Sequence, residues 1–340
     1  MSQQRIDFLK NTINSDGIRS GFMSFRTTAN IISSPLNYTG GKAKLLTQIL
    51  PLFPKNINTF VDLFSGGCNV GINCNANHIV FNDVNDDVIS IFELMKRIGT
   101  QSFLRKIESI IEKYQLSQTN LYGYEFYGCN SRDGMAKYNK TAFNSMRQDL
   151  NSMVTKTDDY YILLYVVIVY AFNNQIRFNS DGQYNLPVGK RDFNNALRAK
   201  FASFADRLSA IPCSFSNSSF VDFPFEHYGE QDFFYVDPPY LITTASYNEK
   251  NGWTEDDEVR LLSFLDALDK RHIKFALSNV LTNKGKTNTI LQDWLSKRNY
   301  YVHRLQMSYA NSNYHSLNRD KGTDEILVTN YECETYHYEQ

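Results

Sequence analysis

Apolar positions along this chain fall into two regimes. In the first, short hydrophobic runs end at glycines, prolines or acids and alternate with amphipathic stretches. Thr59-Phe60-Val61-Asp62-Leu63-Phe64 predicts a first strand and helix joined by a glycine-bearing turn, and His78-Ile79-Val80-Phe81 predicts a second strand. A helix is expected from about Asp87 to Lys96, which completes a βαβα opening of the kind found in parallel sheets covered by helices. The same alternation resumes at Asp232, with a strand at Phe233-Phe234-Tyr235-Val236 and a helix from Asp256 to Lys270. A strand from Lys274 to Ser278, a helix from Thr287 to Lys297 and two terminal strand-like runs follow. Between these parts, from Gly99 to Asp206, the second regime holds: helical stretches rich in Tyr and Asn, without strand and helix alternation. The pattern therefore predicts one α/β domain, residues 31–98 and 207–340, interrupted by an inserted module over 99–206 and preceded by an extension over 1–30.

Composition narrows the class. No apolar run approaches the ~20 residues of a membrane helix, and Met1 to Asp16 lacks the basic-then-apolar layout of a secretory signal. A soluble, cytoplasmic protein with no membrane partner is expected. Five cysteines show none of the paired spacings of zinc sites, so free thiols and no metal are expected. A net charge of −1 argues against a protein that coats nucleic acid over its whole surface. Any such contact must be local, and Asn173 to Lys200 offers one. There Arg177, Lys190, Arg191, Arg198 and Lys200 stand against Asp181 and Asp192, five basic less two acidic, or +3.

Candidate chemistry gathers at four places. Asp62-Leu63-Phe64-Ser65-Gly66-Gly67 lies where a strand ends, and glycines there permit φ > 0 and let a ligand approach the backbone. A dinucleotide fingerprint is a poor match, because Gly66 is followed directly by Gly67 and then Cys68; a structural turn fits as well. Asn82-Asp83-Val84-Asn85 follows the next strand, roughly 20 residues on, where an acid grips ribose hydroxyls in nucleotide-binding α/β folds. Asp83 is the candidate, with a helix cap as the alternative. In Phe234-Tyr235-Val236-Asp237-Pro238-Pro239-Tyr240 a hydrophobic strand runs into an acid, two prolines and an aromatic. The prolines fix the backbone and remove two N–H donors, leaving carbonyls as acceptors. Asp237 and the Pro238 carbonyl suit the two N–H bonds of a planar base bearing an amine, and Tyr240 suits its ring face. Leu36-Asn37-Tyr38-Thr39-Gly40-Gly41-Lys42 is an anion-binding turn or a plain helix start, without phosphate-loop spacing.

In this order the four clusters resemble the Dam family of DNA adenine methyltransferases, in the group that places target recognition between the cofactor and catalytic motifs. The likeness runs from about Ser33 to Tyr331 and takes in Phe275-Ala276-Leu277-Ser278-Asn279 and Glu325-Ile326-Leu327-Val328-Thr329-Asn330-Tyr331. It implies a Rossmann-like α/β sheet for S-adenosyl-L-methionine with an inserted, mainly helical target-recognition domain bearing a β-hairpin. The implied cofactor contacts are Tyr38, Lys42, Asp62, Phe64, Ser65, Gly66, Gly67, Asp83, Asp237 and, from a short match at Phe220-Val221-Asp222-Phe223, Asp222. Asp237, Pro238, Pro239 and Tyr240 are implied to hold a flipped adenine beside the sulfonium methyl. Cys68 departs from the third glycine of many relatives.

Arg177 to Lys190 resembles the recognition hairpin of that family, and its own residues predict a hairpin turning at Asp181-Gly182. DNA contacts are expected at Arg177, Asn179, Tyr184, Asn185, Pro187, Lys190 and Arg191, bases meeting phosphates and amides reading base edges. Similar hairpins go with GATC or related sites. The implied activity is that of a site-specific DNA-methyltransferase (adenine-specific), with duplex DNA as partner and, in a restriction-modification setting, an endonuclease cutting the same site. The alternatives are a catalytically silent specificity subunit, or transfer to cytosine N4, RNA adenine or a protein amide. Relatives acting on those amines more often carry Ser or Asn before Pro-Pro, so Asp237 favours adenine in DNA.

Overall fold

A computed structural model describes residues 31–38, 40–243, 252–306 and 322–333. The extension expected over 1–30 lies outside them. Residues from Ile32 onward form one compact unit.

The framework is a single sheet. Its strands are β1 (Thr59–Asp62), β2 (His78–Asn82), β3 (Cys213–Ser216), β4 (Phe233–Val236), β5 (Lys274–Asn283), β6 (Lys286–Thr287), β7 (Tyr301–Leu305) and β8 (Asp324–Thr329). They lie in the order β3-β2-β1-β4-β5-β8-β7, with the short β6 folded back on β5. The first five of that order run parallel, while β8 pairs antiparallel with both β5 and β7. Chain order reverses between β1 and β4, so the carboxyl ends of these two strands flank a switch point, where open α/β sheets hold ligands.

Helices cover both faces. In chain order they are α1 (Leu46–Ile49), α2 (Asp86–Ile98), α3 (Thr100–Lys113), α4 (Thr119–Tyr122), α5 (Ala136–Ser152), α6 (Asp158–Tyr170), α7 (Asn195–Ala210), α8 (Glu255–Lys270) and α9 (Thr289–Ser296). Val61, Val80, Phe234, Val236, Phe275, Leu277, Ile326 and Val328 project to one face, against Leu261, Leu265 and Leu268 of α8 and Leu291 and Trp294 of α9. Phe60, Phe233 and Tyr235 project to the other, around Phe53, at ring-centroid distances of 4.9–5.7 Å. β4 is buried at every position, which is why it reads in sequence as an unbroken hydrophobic run.

Between β2 and β3 the chain is helical, as its lack of alternation predicts. α6 is apolar around its whole circumference because α2, α3 and α5 enclose it.

Two elements differ from the sequence expectation. The β1–β2 crossover carries only a 3₁₀ turn, Gly71–Asn73, in place of a helix. This segment is pressed onto the sheet: a Cβ at Gly71 would meet the Phe81 ring at 2.5 Å, and the Gly71 N–H donates to the Asp62 carboxylate at 3.0 Å. The expected hairpin forms, but with two isolated antiparallel bridges, Ala171 with Val188 and Phe178 with Tyr184, in place of a continuous ladder. Asn179 Oδ1 accepts from the N–H groups of Asp181 and Gln183, and such local bonds compete with a continuous ladder. Gly182 takes φ +74° at its tip, the conformation expected of it.

Candidate active site

The carboxyl ends of three adjacent parallel strands each carry an acid. Asp62 ends β1, Asp83 follows β2 and Asp237 follows β4. Together with Tyr38, Lys42, the Phe64–Gly67 turn, Pro238, Pro239 and Tyr240 they line one cavity of about 410 Å³. Residues nearly two hundred positions apart in sequence thus meet at the switch point of the sheet.

The glycine turn is shaped for close approach. Gly66 adopts φ +46°, and a Cβ there would meet the Tyr38 ring at 2.7 Å, so a side chain at this position is excluded on both counts. Cys68 adopts φ +58°, a left-handed conformation that glycine would take at no steric cost. The buried Ser65 hydroxyl finds no hydrogen-bond partner among the described residues.

Asp83 holds the turn in place. One of its oxygens accepts from the Gly66 N–H at 2.8 Å and the other from the Asn85 N–H at 2.9 Å. The cap of α2 is Asn85, whose side chain accepts from the Val88 N–H, so Asp83 is not spent on that task. Burial pushes the Asp83 carboxyl above its ordinary range, against the pull of the Asn85 and Gly66 N–H groups. Burial pushes Asp62 up to about 8, with the Gly71 N–H pulling back and Asp237 and Asp83 adding repulsion.

Asp237 sits in a four-member polar cluster. Lys42 Nζ lies 2.9 Å from Asp237 Oδ1 and 3.7 Å from Glu325 Oε1. The Tyr240 hydroxyl lies 3.1 Å from Asp237 and 3.2 Å from Glu325. The Lys42 ammonium stands 4.8 Å over one face of the Tyr240 ring. Burial raises the Asp237 carboxyl, and Lys42 and Tyr240 draw it back down. The ammonium expected to touch a cofactor is thus beside Asp237.

Asp222 is exposed and does not line the cavity; its neighbours Ser218, Ser219 and Phe220 do. In the loop from Arg177 to Arg191, the side chains of Asn185, Pro187, Lys190 and Arg191 are exposed, and Arg177 donates to Asn185 at 2.8 Å. Asn179 is partly exposed, its amide oxygen turned inward on the loop backbone. Tyr184 corrects the expectation of a DNA contact, being 1% exposed. Its hydroxyl donates to the Gln175 carbonyl at 2.6 Å, and Asn151 of α5 holds its backbone on both sides. Tyr184 is an anchor of the loop. Arg198 is likewise engaged, 2.6 Å from Glu108, and Asp192 is buried under bonds from Ser117 and Thr119.

Several residues of the site have no role that the sequence assigns to them. Trp253 and Phe220 line the cavity and pack on Phe64 at 5.9 and 5.6 Å. Asn82 clasps two loops, donating to the carbonyls of Leu63 and Ser218. Glu325 opens the Glu325-to-Tyr331 stretch of the family likeness, but as an acid at the head of an apolar strand it receives no role from alternation alone.

A mostly parallel sheet of this order, with its cavity at the reversal, is the fold of the S-adenosylmethionine-dependent methyltransferases. The model of the D12 class N6 adenine-specific DNA methyltransferases matches residues 38–311, and the chain belongs to that family. It is 41% identical over 317 residues to the modification methylase StsI of Streptococcus sanguinis, across 92% of this chain and 45% of that protein. It is also 41% identical over 310 residues to the type II methyltransferase M.FokI of Planomicrobium okeanokoites, across 89% and 44%. The chain therefore spans less than half the length of these two relatives. The DNA adenine methylase of Escherichia coli K12 is 22% identical over 300 residues, across 86% of this chain and 93% of that one. These likenesses agree with the Dam-family resemblance of the motifs. Among the described residues no helix is long and apolar enough to cross a membrane.

Proposed function

We propose that this protein is a site-specific DNA adenine-N6 methyltransferase using S-adenosyl-L-methionine. The observation that carries the reading is Asp237-Pro238-Pro239-Tyr240 at the mouth of the cavity, beside a glycine turn and the acids of β1 and β2. The cavity suits the cofactor: a turn open at Gly66, a buried Ser65 hydroxyl without a partner, and an Asp62 carboxyl that would ionise readily beside an ammonium group. In this reading Phe64 to Gly67 hold the methionine portion, Asp62 faces its ammonium and Asp83 accepts from the ribose hydroxyls. The cofactor supplies an electrophilic methyl group when bound.

Duplex adenine hides its amine in the base stack, so the base must be extruded before it reaches the cavity. Asp237 and the Pro238 carbonyl would then accept its two N–H bonds and Tyr240 would border the ring, leaving the amine lone pair free for the methyl group that the cofactor would supply. Position and electrostatics supply the catalysis. The module over 99–206 acts as the target-recognition domain, and its loop over 177–191 supports a short duplex site, GATC or a related sequence. Lys190 and Arg191 meet phosphates there. Modification methylases among the relatives support a role beside an endonuclease that cuts the same site.

The test is transfer of labelled methyl to a pool of duplexes, with the product base identified by mass and the site by sequencing. N6-methyladenine at one short sequence is expected. A methylated cytosine, or no DNA product, would overturn the reading.

A further inference from the structure

The cluster around Asp237 poses an electrostatic difficulty. Lys42 lies 2.9 Å from the acid meant to accept from the target amine. As the nitrogen–methyl bond forms and the sulfur–methyl bond breaks, positive charge passes from sulfur to nitrogen, which then sheds a proton to water. A carboxylate already cancelled by an ammonium does little to favour that charge, and its contacted oxygen is occupied.

Glu325 offers the resolution. It lies on β8, opposite Val280 of β5, next to the register shift between Val280 and Thr282. It is 5% exposed, and its Oε1 lies 3.7 Å from Lys42 Nζ and 3.2 Å from the Tyr240 hydroxyl. The Gly40 carbonyl, 2.9 Å from Lys42 Nζ, is the ammonium's remaining polar partner in the cluster. Burial raises both carboxyls and Lys42 draws them back down; with both ionised, one ammonium and two carboxylates leave the cluster at −1, the sign that favours a nitrogen turning cationic.

We propose that Glu325 is a positioning residue for methyl transfer. It gives Lys42 a second carboxylate, so that the ammonium can withdraw from Asp237 when the target amine arrives, and it supplies the negative charge that Lys42 would otherwise cancel. The same oxygen also holds the Tyr240 hydroxyl, so the ring bordering the base and the acid bonding it are set by one strand residue. This inference rests on the methyl-transfer reading above.

The experiment is single-turnover methylation of a preferred duplex at saturating cofactor, in two backgrounds. Glu325→Gln keeps the size and the acceptor for Tyr240 but removes the charge. It is expected to slow transfer by about tenfold to a hundredfold, with cofactor affinity and melting temperature close to wild type. In a Lys42→Met background the same change is expected to cost less than about threefold, because no cation then needs a second partner. Should Glu325→Gln not fold, Glu325→Asp, which retains the charge but draws it back, is compared in the same two backgrounds. Its loss too is expected to shrink when Lys42 is gone. Wild-type rates for Glu325→Gln, or equal losses with and without Lys42, overturn the inference while leaving the methyltransferase reading intact. Absence of transfer by the wild-type chain overturns both.

Discussion

Burial pushes the Asp62 carboxyl up to about 8, which ties pH to stability and, in the proposed reading, to cofactor binding. The unfolded chain ionises it near the ordinary carboxylate range, so between about pH 4 and pH 8 the folded protein holds a proton that the unfolded chain has lost. Its contribution is fully favourable below that window and is lost as pH rises through it. The ligand-free protein is therefore expected to melt at lower temperature as pH rises from 5 to 8, and Asp62→Asn to flatten that slope in a series of thermal melts. An ammonium arriving at Asp62 should expel the proton. Titration calorimetry in buffers of different ionisation enthalpy is expected to show proton release on S-adenosylmethionine binding near pH 7, and none in Asp62→Asn. Asp83 differs, because its two oxygens accept from Gly66 and Asn85. Asp83→Ala should lower cofactor affinity and also cost about 1–3 kcal/mol of stability as those N–H groups lose their acceptor.

At the scale of elements, the start of α8 fixes one wall of the cavity. Thr254 and Asp257 form a capping box, and Glu258 in the same turn is completely buried. Its carboxylate accepts from the Trp253 indole at 2.7 Å, from Asn288 at 2.7 Å and from Asn279 at 3.1 Å. Glu258→Ala would leave three donors unpaired, those of Asn279 and Asn288 buried, and is expected to cost about 3 kcal/mol or more in denaturant unfolding. It should also release Trp253 from Phe64, changing its fluorescence. The loop over 177–191 is held in the same manner, by Asn151 and by Arg147, which donates to the Leu186 carbonyl at 2.8 Å. Asn151→Ala is expected to weaken discrimination between duplexes while cofactor affinity persists. Unchanged site preference in a competition assay would show that the loop keeps its shape without that anchor.

Across the whole molecule, a net charge of −1 leaves DNA attraction to local patches. Of the basic residues between 173 and 200, Lys190 and Arg191 are exposed, whereas Arg198 is paired with Glu108 and stacked on Phe193 at 4.8 Å. Lys190→Ala should therefore lower the salt dependence of duplex binding by about one unit of log–log slope. Arg198→Ala should instead lower stability and leave the slope alone. Equal effects on the slope would mean that both side chains reach phosphates.

The order of the strands β1, β2, β4 and β5 was legible because each apolar run is bounded by turn residues, whereas the helix expected between β1 and β2 is only a 3₁₀ turn. The acid, Pro-Pro and Tyr after β4 were legible because proline restricts the backbone wherever it occurs. Sequence alone thus determined the α/β class, the helical character of the stretch between β2 and β3, and the placing of Asp62, Asp83 and Asp237 at strand ends. Period and spacing say nothing of distances across the sheet. Only the tertiary structure decided that Lys42 meets Asp237, that Glu325 closes the cluster from β8, that Tyr184 faces inward and that Asp222 faces away. Each of these depends on packing between segments far apart in the chain, and a side chain's role there is set by its neighbours in space.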